Sequence, residues 1–193
     1  MTNSVKQQSG KRTNYRWFVA LLFFIIYTIA AADRANLGVA LPFIRKDFDM
    51  TNAEAGGLVS LFLIAYALIQ LPSAWLLSKF GVRKVFPISM ILTSIATGLT
   101  GTVNSLFALK MCRLTLGLAE GPLPIGVTTT INNWFPSKEK GTASGIFLSA
   151  VKFGPVVTPI LGAVIISIWG WKEVFIFFAV PGIILSAFWY MLV

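Results

Sequence analysis

Six long apolar segments, separated by short polar and basic connections, constrain this chain more than any other feature. They run Trp17–Leu41, Glu54–Leu77, Val85–Val103, Leu106–Trp134, Gly141–Ile168 and Val174–Val193. A hydrocarbon core of about 30 Å is crossed by about 20 helical residues, so each segment is long enough to span it. The longer ones are expected to tilt. Lipid offers no water to backbone N–H and C=O groups, so the spans must be helices that bond internally. The short alternating strands of a barrel are absent. Composition agrees: 56% of the 193 residues are hydrophobic and 12% charged, with mean hydropathy +0.78. Soluble domains carry about 25% charged residues. The expected fold is therefore an all-α membrane protein, a six-helix transmembrane bundle over residues 17–193 behind a polar tail at 1–16.

The net charge of +9 does not point to nucleic acid, because the basic residues gather at the ends of the apolar segments. On one side lie Lys6, Lys11, Arg12 and Arg16, then Lys79, Arg83 and Lys84, then Lys138 and Lys140. The other side holds Arg45, Lys46, Lys110 and Lys172, offset by Asp47, Asp49, Glu54 and Glu173. The positive-inside rule places the N-terminus in the cytoplasm. The chain has no histidine, which removes imidazole relays and His-ligated metals, and its single Cys112 cannot form an internal disulfide. The start lacks a secretory signal pattern. The apolar run reaching Val193 without a polar tail suggests one half of a longer protein.

Charges inside the apolar segments mark the functional candidates. Asp33 and Arg34 lie in the first span, Arg113 and Glu120 in the fourth and Lys152 in the fifth. A charge at mid-membrane costs about 3 kcal/mol to insert, so these groups need partners or a watery cavity. Asp33 and Arg34 are about 100° apart around their helix and should each face another helix. Arg113 and Glu120, seven residues apart, share a face about 10 Å apart along the axis. Gly117, Gly121 and Pro124 lie on or beside that face, where small residues admit a backbone or a ligand. With Tyr66 and Gln70 of the second span, the charges would form a mid-membrane pocket with a cationic excess, suited to an anion. A buried carboxylate beside an arginine can exchange a proton. The alternative for each pair is a structural ion pair that fixes helix register, and for Lys152 a snorkelling side chain. Gly154-Pro155 and Thr158-Pro159 are expected to bend the fifth helix.

Three motifs resemble the major facilitator superfamily, in its anion:cation symporter branch of sugar-acid and sialin-like carriers. They are DRANLGVALPFIRKDF from Asp33, RLTLGLAEGPLP from Arg113 and NWFPSKEKGTASG from Asn133. The resemblance covers essentially the whole chain as an N-terminal six-helix half. In the second-to-third connection, AWLLSKFGVRK, Gly81, Arg83 and Lys84 match the family's gating loop. Ser78 stands where the family has an acid, and Ala74 where it has a glycine. Gly154-Pro155 is similar to part of an antiporter motif whose following glycine pair is absent.

The resemblance implies that Asp33 and Glu120 are proton-coupling carboxylates. Arg34, Tyr66 and Arg113 would bind substrate or pair with those acids; Lys152 is added as a substrate contact on depth and charge alone. The expected function is proton-coupled symport of a small organic anion, a sugar acid, by alternating access. The proton is the coupling ion, with no other cofactor and no metal. The bilayer, the organic anion and a second six-helix half are the partners, and a bacterial inner membrane is the location. The alternatives are an exchanger of organic anions such as phosphorylated compounds, or a non-transporting membrane interaction protein. An enzyme is not expected, since no nucleophile–base pair or metal cluster stands out.

Overall fold

The computed structural model describes residues 15–192, and every described segment of length is helical. Lys6, Lys11, Arg12 and Val193 lie outside the described residues. The helices are α1 (Tyr15–Asp47), α2 (Asn52–Phe80), α3 (Val82–Thr100), α4 (Leu106–Glu120), α5 (Pro122–Trp134), α6 (Ser137–Trp169) and α7 (Trp171–Leu192). Of these, α1, α2, α3, α6 and α7 are each long and apolar enough to span a membrane. Helices α4 and α5, of 15 and 13 residues, together fill the fourth apolar segment. Gly121 between them keeps helical φ −54° and ψ −41°. Pro122 brings no N–H, so the hydrogen-bond ladder breaks while the chain stays in helical conformation. Among the described residues, six spans are thus built from seven helices.

Local chemistry sets the boundaries. Helix α2 opens on a capping box, in which the Glu54 N–H donates to Thr51 Oγ1 (3.2 Å) and the Thr51 N–H donates to Glu54 Oε2 (3.0 Å). Two otherwise orphaned donors are satisfied. Ser105 caps α4 by accepting from the Ala108 N–H at 3.2 Å. Gly81 turns the chain from α2 into α3 at φ +78°, a conformation that costs glycine little. Helix α6 continues through Pro155 and Pro159, the positions expected to bend it.

Helix α1 packs along α6, α3 along α7, and α2 against α4. An ion pair from Arg16 to Glu139 (2.9 Å) ties the start of α1 to the start of α6. The Trp171 indole N–H donates to Asp47 Oδ2 (2.6 Å) at the opposite end. One apolar core gathers Phe23, Ile26, Phe86, Leu123 and Trp189. A second gathers Leu37, Ile44, Leu58, Leu109 and Phe175 toward the other end. On α1 the polar residues between these two cores are Asp33, Arg34 and Asn36, so the bundle carries a polar layer between two apolar ones.

Candidate functional site

The polar layer is assembled from α1, α2, α3 and α4. Asp33 and Glu120 are 0% exposed and Arg113 is 1% exposed. Arg34 Nε donates to Glu120 Oε1 at 2.8 Å, an ion pair in which Arg34 keeps 29% of its side-chain surface open. Its Nη2 donates to the Tyr27 hydroxyl at 3.3 Å. The guanidinium carbon lies 4.8 Å from the Tyr66 ring centroid, with the Phe62 ring at 6.0 Å. Tyr66 and Phe62 stack on each other at 5.8 Å. Aromatic faces hold the cation without neutralising it, so the guanidinium stays bound to Glu120 and open on one side.

Behind this pair lies Asp33. Asn36 Nδ2 donates to Asp33 Oδ1 at 3.4 Å. Arg34, Arg113 and Glu120 act on its carboxyl electrostatically, and Thr97 of α3 is its hydroxyl neighbour. Arg113 forms no ion pair with either acid. Its guanidinium sits 5.3 Å from the Phe175 ring of α7, and its Nε and Nη2 have no protein hydrogen-bond partner, nor do Asp33 Oδ2 and Glu120 Oε2. Arg34 thus reaches α4, while Asp33 accepts from Asn36 of its own helix and faces Thr97 of α3.

Glycines let the helices that carry these groups approach. A Cβ on Gly117 would lie 2.5 Å from the Phe62 carbonyl and 2.8 Å from Ala65 Cβ. One on Gly121 would strike the Ile69 side chain. Both therefore seat α4 on α2, next to Tyr66. Gly154 does the same between α6 and α1, where a Cβ would meet the Thr28 carbonyl at 2.5 Å. Pro155, the next residue, is exposed.

Lys152 does not join the cluster. Gly154 faces α1, and two residues earlier on a helix is about 200° away. Lys152 is accordingly exposed, lining a shallow depression with Leu148, Ser149 and Phe153. Among the described residues the layer itself holds Arg34 and Arg113 against Asp33 and Glu120. At the other candidate region, Arg83 and Lys84 are exposed at the start of α3. The Ser78 hydroxyl donates to the Trp75 carbonyl of its own helix at 2.8 Å, not to that turn. Sequence reasoning missed Tyr27, Asn36 and Thr97. The available signal was helical spacing: Tyr27 is seven residues before Arg34 and Asn36 three after Asp33, each on a shared face.

The model of the Major Facilitator Superfamily matches residues 23–193. The chain is 34% identical over 188 residues to a probable galactarate/D-glucarate transporter, GudP, of Bacillus subtilis, covering 94% of this chain and 41% of the relative. It is 35% identical over 193 residues to the probable galactarate/D-glucarate transporter GarP of Escherichia coli, covering 96% of this chain and 43% of the relative. The chain thus spans about two fifths of the length of these curated relatives. Among solved structures it is similar to a bacterial homolog of the human lysosomal transporter Spinster in an inward-facing, unoccupied conformation. That match has a TM-score of 0.82 and 25% identity, covering 93% of this chain and 43% of the other.

Proposed function

The chain belongs to the Major Facilitator Superfamily, and on that premise we propose that it is the N-terminal half of a proton-coupled symporter for a small organic anion. It is a multi-pass membrane protein with the fold of that half. The relatives named as galactarate/D-glucarate transporters make a sugar acid the favoured cargo. A second six-helix half supplies the rest of the site, and the two halves rock about it to alternate access. The basic end of the bundle, with Arg16, Lys79, Arg83, Lys84, Lys138 and Lys140, faces the cytoplasm of a bacterial inner membrane, and the N-terminus lies with it.

One observation carries this reading: the buried Glu120 carboxylate bonded to an Arg34 that remains partly open. When Glu120 is ionised, Arg34 is committed to it. A proton on Glu120 removes that charge and frees the guanidinium for the carboxylate of an incoming anion. Tyr66 and Tyr27 hold the guanidinium in place through the exchange. Asp33 is the second proton site, and Arg113, which acts electrostatically on both acids, is the cation that links their charge states. Lys152 would meet substrate only from the open face of α6. The proton is the only coupling species this scheme uses.

The test is uptake by the full-length protein in liposomes, over a panel of sugar acids. Glu120→Gln is expected to abolish uptake driven by a pH gradient and to spare counterflow exchange. Unchanged gradient-driven uptake would remove Glu120 from the coupling role. Uptake insensitive to the gradient but dependent on internal anion would establish exchange instead.

A further inference from the structure

Asp33 is fully buried behind the Arg34–Glu120 pair, so a proton bound there needs its own way in and out. Helix α3 supplies an unusual surface at this point. Thr93 and Thr97 are 0% and 1% exposed, and neither hydroxyl bonds a carbonyl of its own helix; that of Thr93 has no protein partner and that of Thr97 faces Asp33. Threonines elsewhere in the bundle behave differently. Thr28, Thr100, Thr130 and Thr158 all donate to the carbonyl four residues back on their own helix, at 2.7–2.9 Å. That back-bond is the usual way a helical hydroxyl is satisfied. Thr93 and Thr97 leave it unused.

Thr97 is the hydroxyl neighbour of the Asp33 carboxyl. Asp33 Oδ2 and Asn36 Oδ1, both fully buried, have no protein partner either. Thr93 lies one turn below Thr97, about 6 Å along the same stripe. Ser89, buried to 5% exposure, lies one turn further toward the basic end. Buried polar atoms are satisfied by protein or by ordered water, and ionisable side chains inside a membrane, as Asp33 is, mark ion pathways and proton relays. Asn36, Thr97 and Thr93 thus form a buried polar seam inside the bundle.

We propose that Thr97 and Thr93 form, with water, the path by which Asp33 takes up and gives away its proton, separate from the face that meets substrate. This inference rests on the proton-coupled reading of the site. The transfer is a relay. The Asp33 O–H bond breaks as an O–H bond forms on the adjacent oxygen, and each hydroxyl or water releases one proton as it gains another. One proton moves along the seam, and a carboxylate remains on Asp33. The charged groups acting on Asp33 are Arg34 on its own helix and Arg113 and Glu120 on α4. Helix α3 presents hydroxyls there. Helix α6 turns Lys152 outward, and the charged residues of α7, Lys172 and Glu173, stand at its first turn.

The experiment uses the full-length protein in liposomes. Valine keeps the shape of threonine without the hydroxyl. In the Thr93→Val, Thr97→Val double variant, gradient-driven uptake is expected to fall at least about tenfold, with counterflow within about twofold of the parent. Thr97→Ser on the Thr93→Val background should restore most of the loss. Gradient-driven uptake at the parent rate in the double variant overturns the path. Asp33→Asn in the same assay separates the two readings. If Asp33→Asn uncouples and the valine variant does not, only the path falls; if the parent ignores the gradient, path and coupling fall together. Should the double valine variant fold poorly, hydrogen–deuterium exchange of the Asp33 carboxyl, followed by infrared spectroscopy in Thr97→Ala, takes its place. A slowed exchange supports the path, and an exchange at the parent rate overturns it.

Discussion

Arg34 makes three contacts at once, to Glu120 through Nε, to Tyr27 through Nη2 and to the Tyr66 face through its plane. A lysine ammonium is a point charge and cannot reproduce that set. Arg34→Lys is expected to lower uptake at least about tenfold with a normal yield of folded protein; uptake at the parent rate would show that charge alone suffices. Tyr66 can be dissected in the same assay. A cation–π contact is worth about 0.5–2 kcal/mol, so Tyr66→Ala should raise the half-saturating substrate concentration about two- to thirtyfold, while Tyr66→Phe stays near the parent. If Tyr66→Phe matches Tyr66→Ala, the hydroxyl matters and not the ring. Asp33, Arg34 and Glu120 were legible in the sequence because a charge in an apolar run has no ordinary explanation. Thr97 and Asn36 were not, since neutral polar residues are common in helices and acquire meaning from what they face. The expected link from Arg113 to an acid was not realised as an ion pair; its guanidinium lies against Phe175.

The helices owe their spacing to glycines at two seams. Gly154 sits where a side chain would enter the α1 backbone, and Gly117 where it would enter α2. Overpacking at such contacts costs about 1–3 kcal/mol. Gly154→Val and Gly117→Val are therefore expected to lower the thermal midpoint and the monodisperse fraction in detergent, measured by a thermal shift assay and size exclusion. Gly145→Ala, at a position with open space around it, is the control and should be neutral. A Gly154→Val protein as stable as the control would mean that α1 and α6 can separate without cost. That the fourth span divides into α4 and α5 could be anticipated from Pro122.

Across the molecule, the basic connections lie at one end of the bundle and the charge-balanced ones at the other, joined through α1 and α6. A Cys112→Ser background makes this testable. Cysteine at Ser78 should label only from the cytoplasmic side, and cysteine at Thr102 only from outside; the reverse pattern would invert the topology. The order of amino acids was enough to dictate six spans and the presence of buried charge. Those properties follow from transfer free energies and from the length of a helix, which each segment carries alone. Which charges meet depended on packing. Arg34 reaches Glu120 across 86 positions of sequence, and Lys152 is turned away because Gly154 takes the face toward α1. Rotation of one helix against another is fixed by surfaces contributed from both, so the composition of the polar layer, and the exclusion of Lys152 from it, came from the assembled bundle.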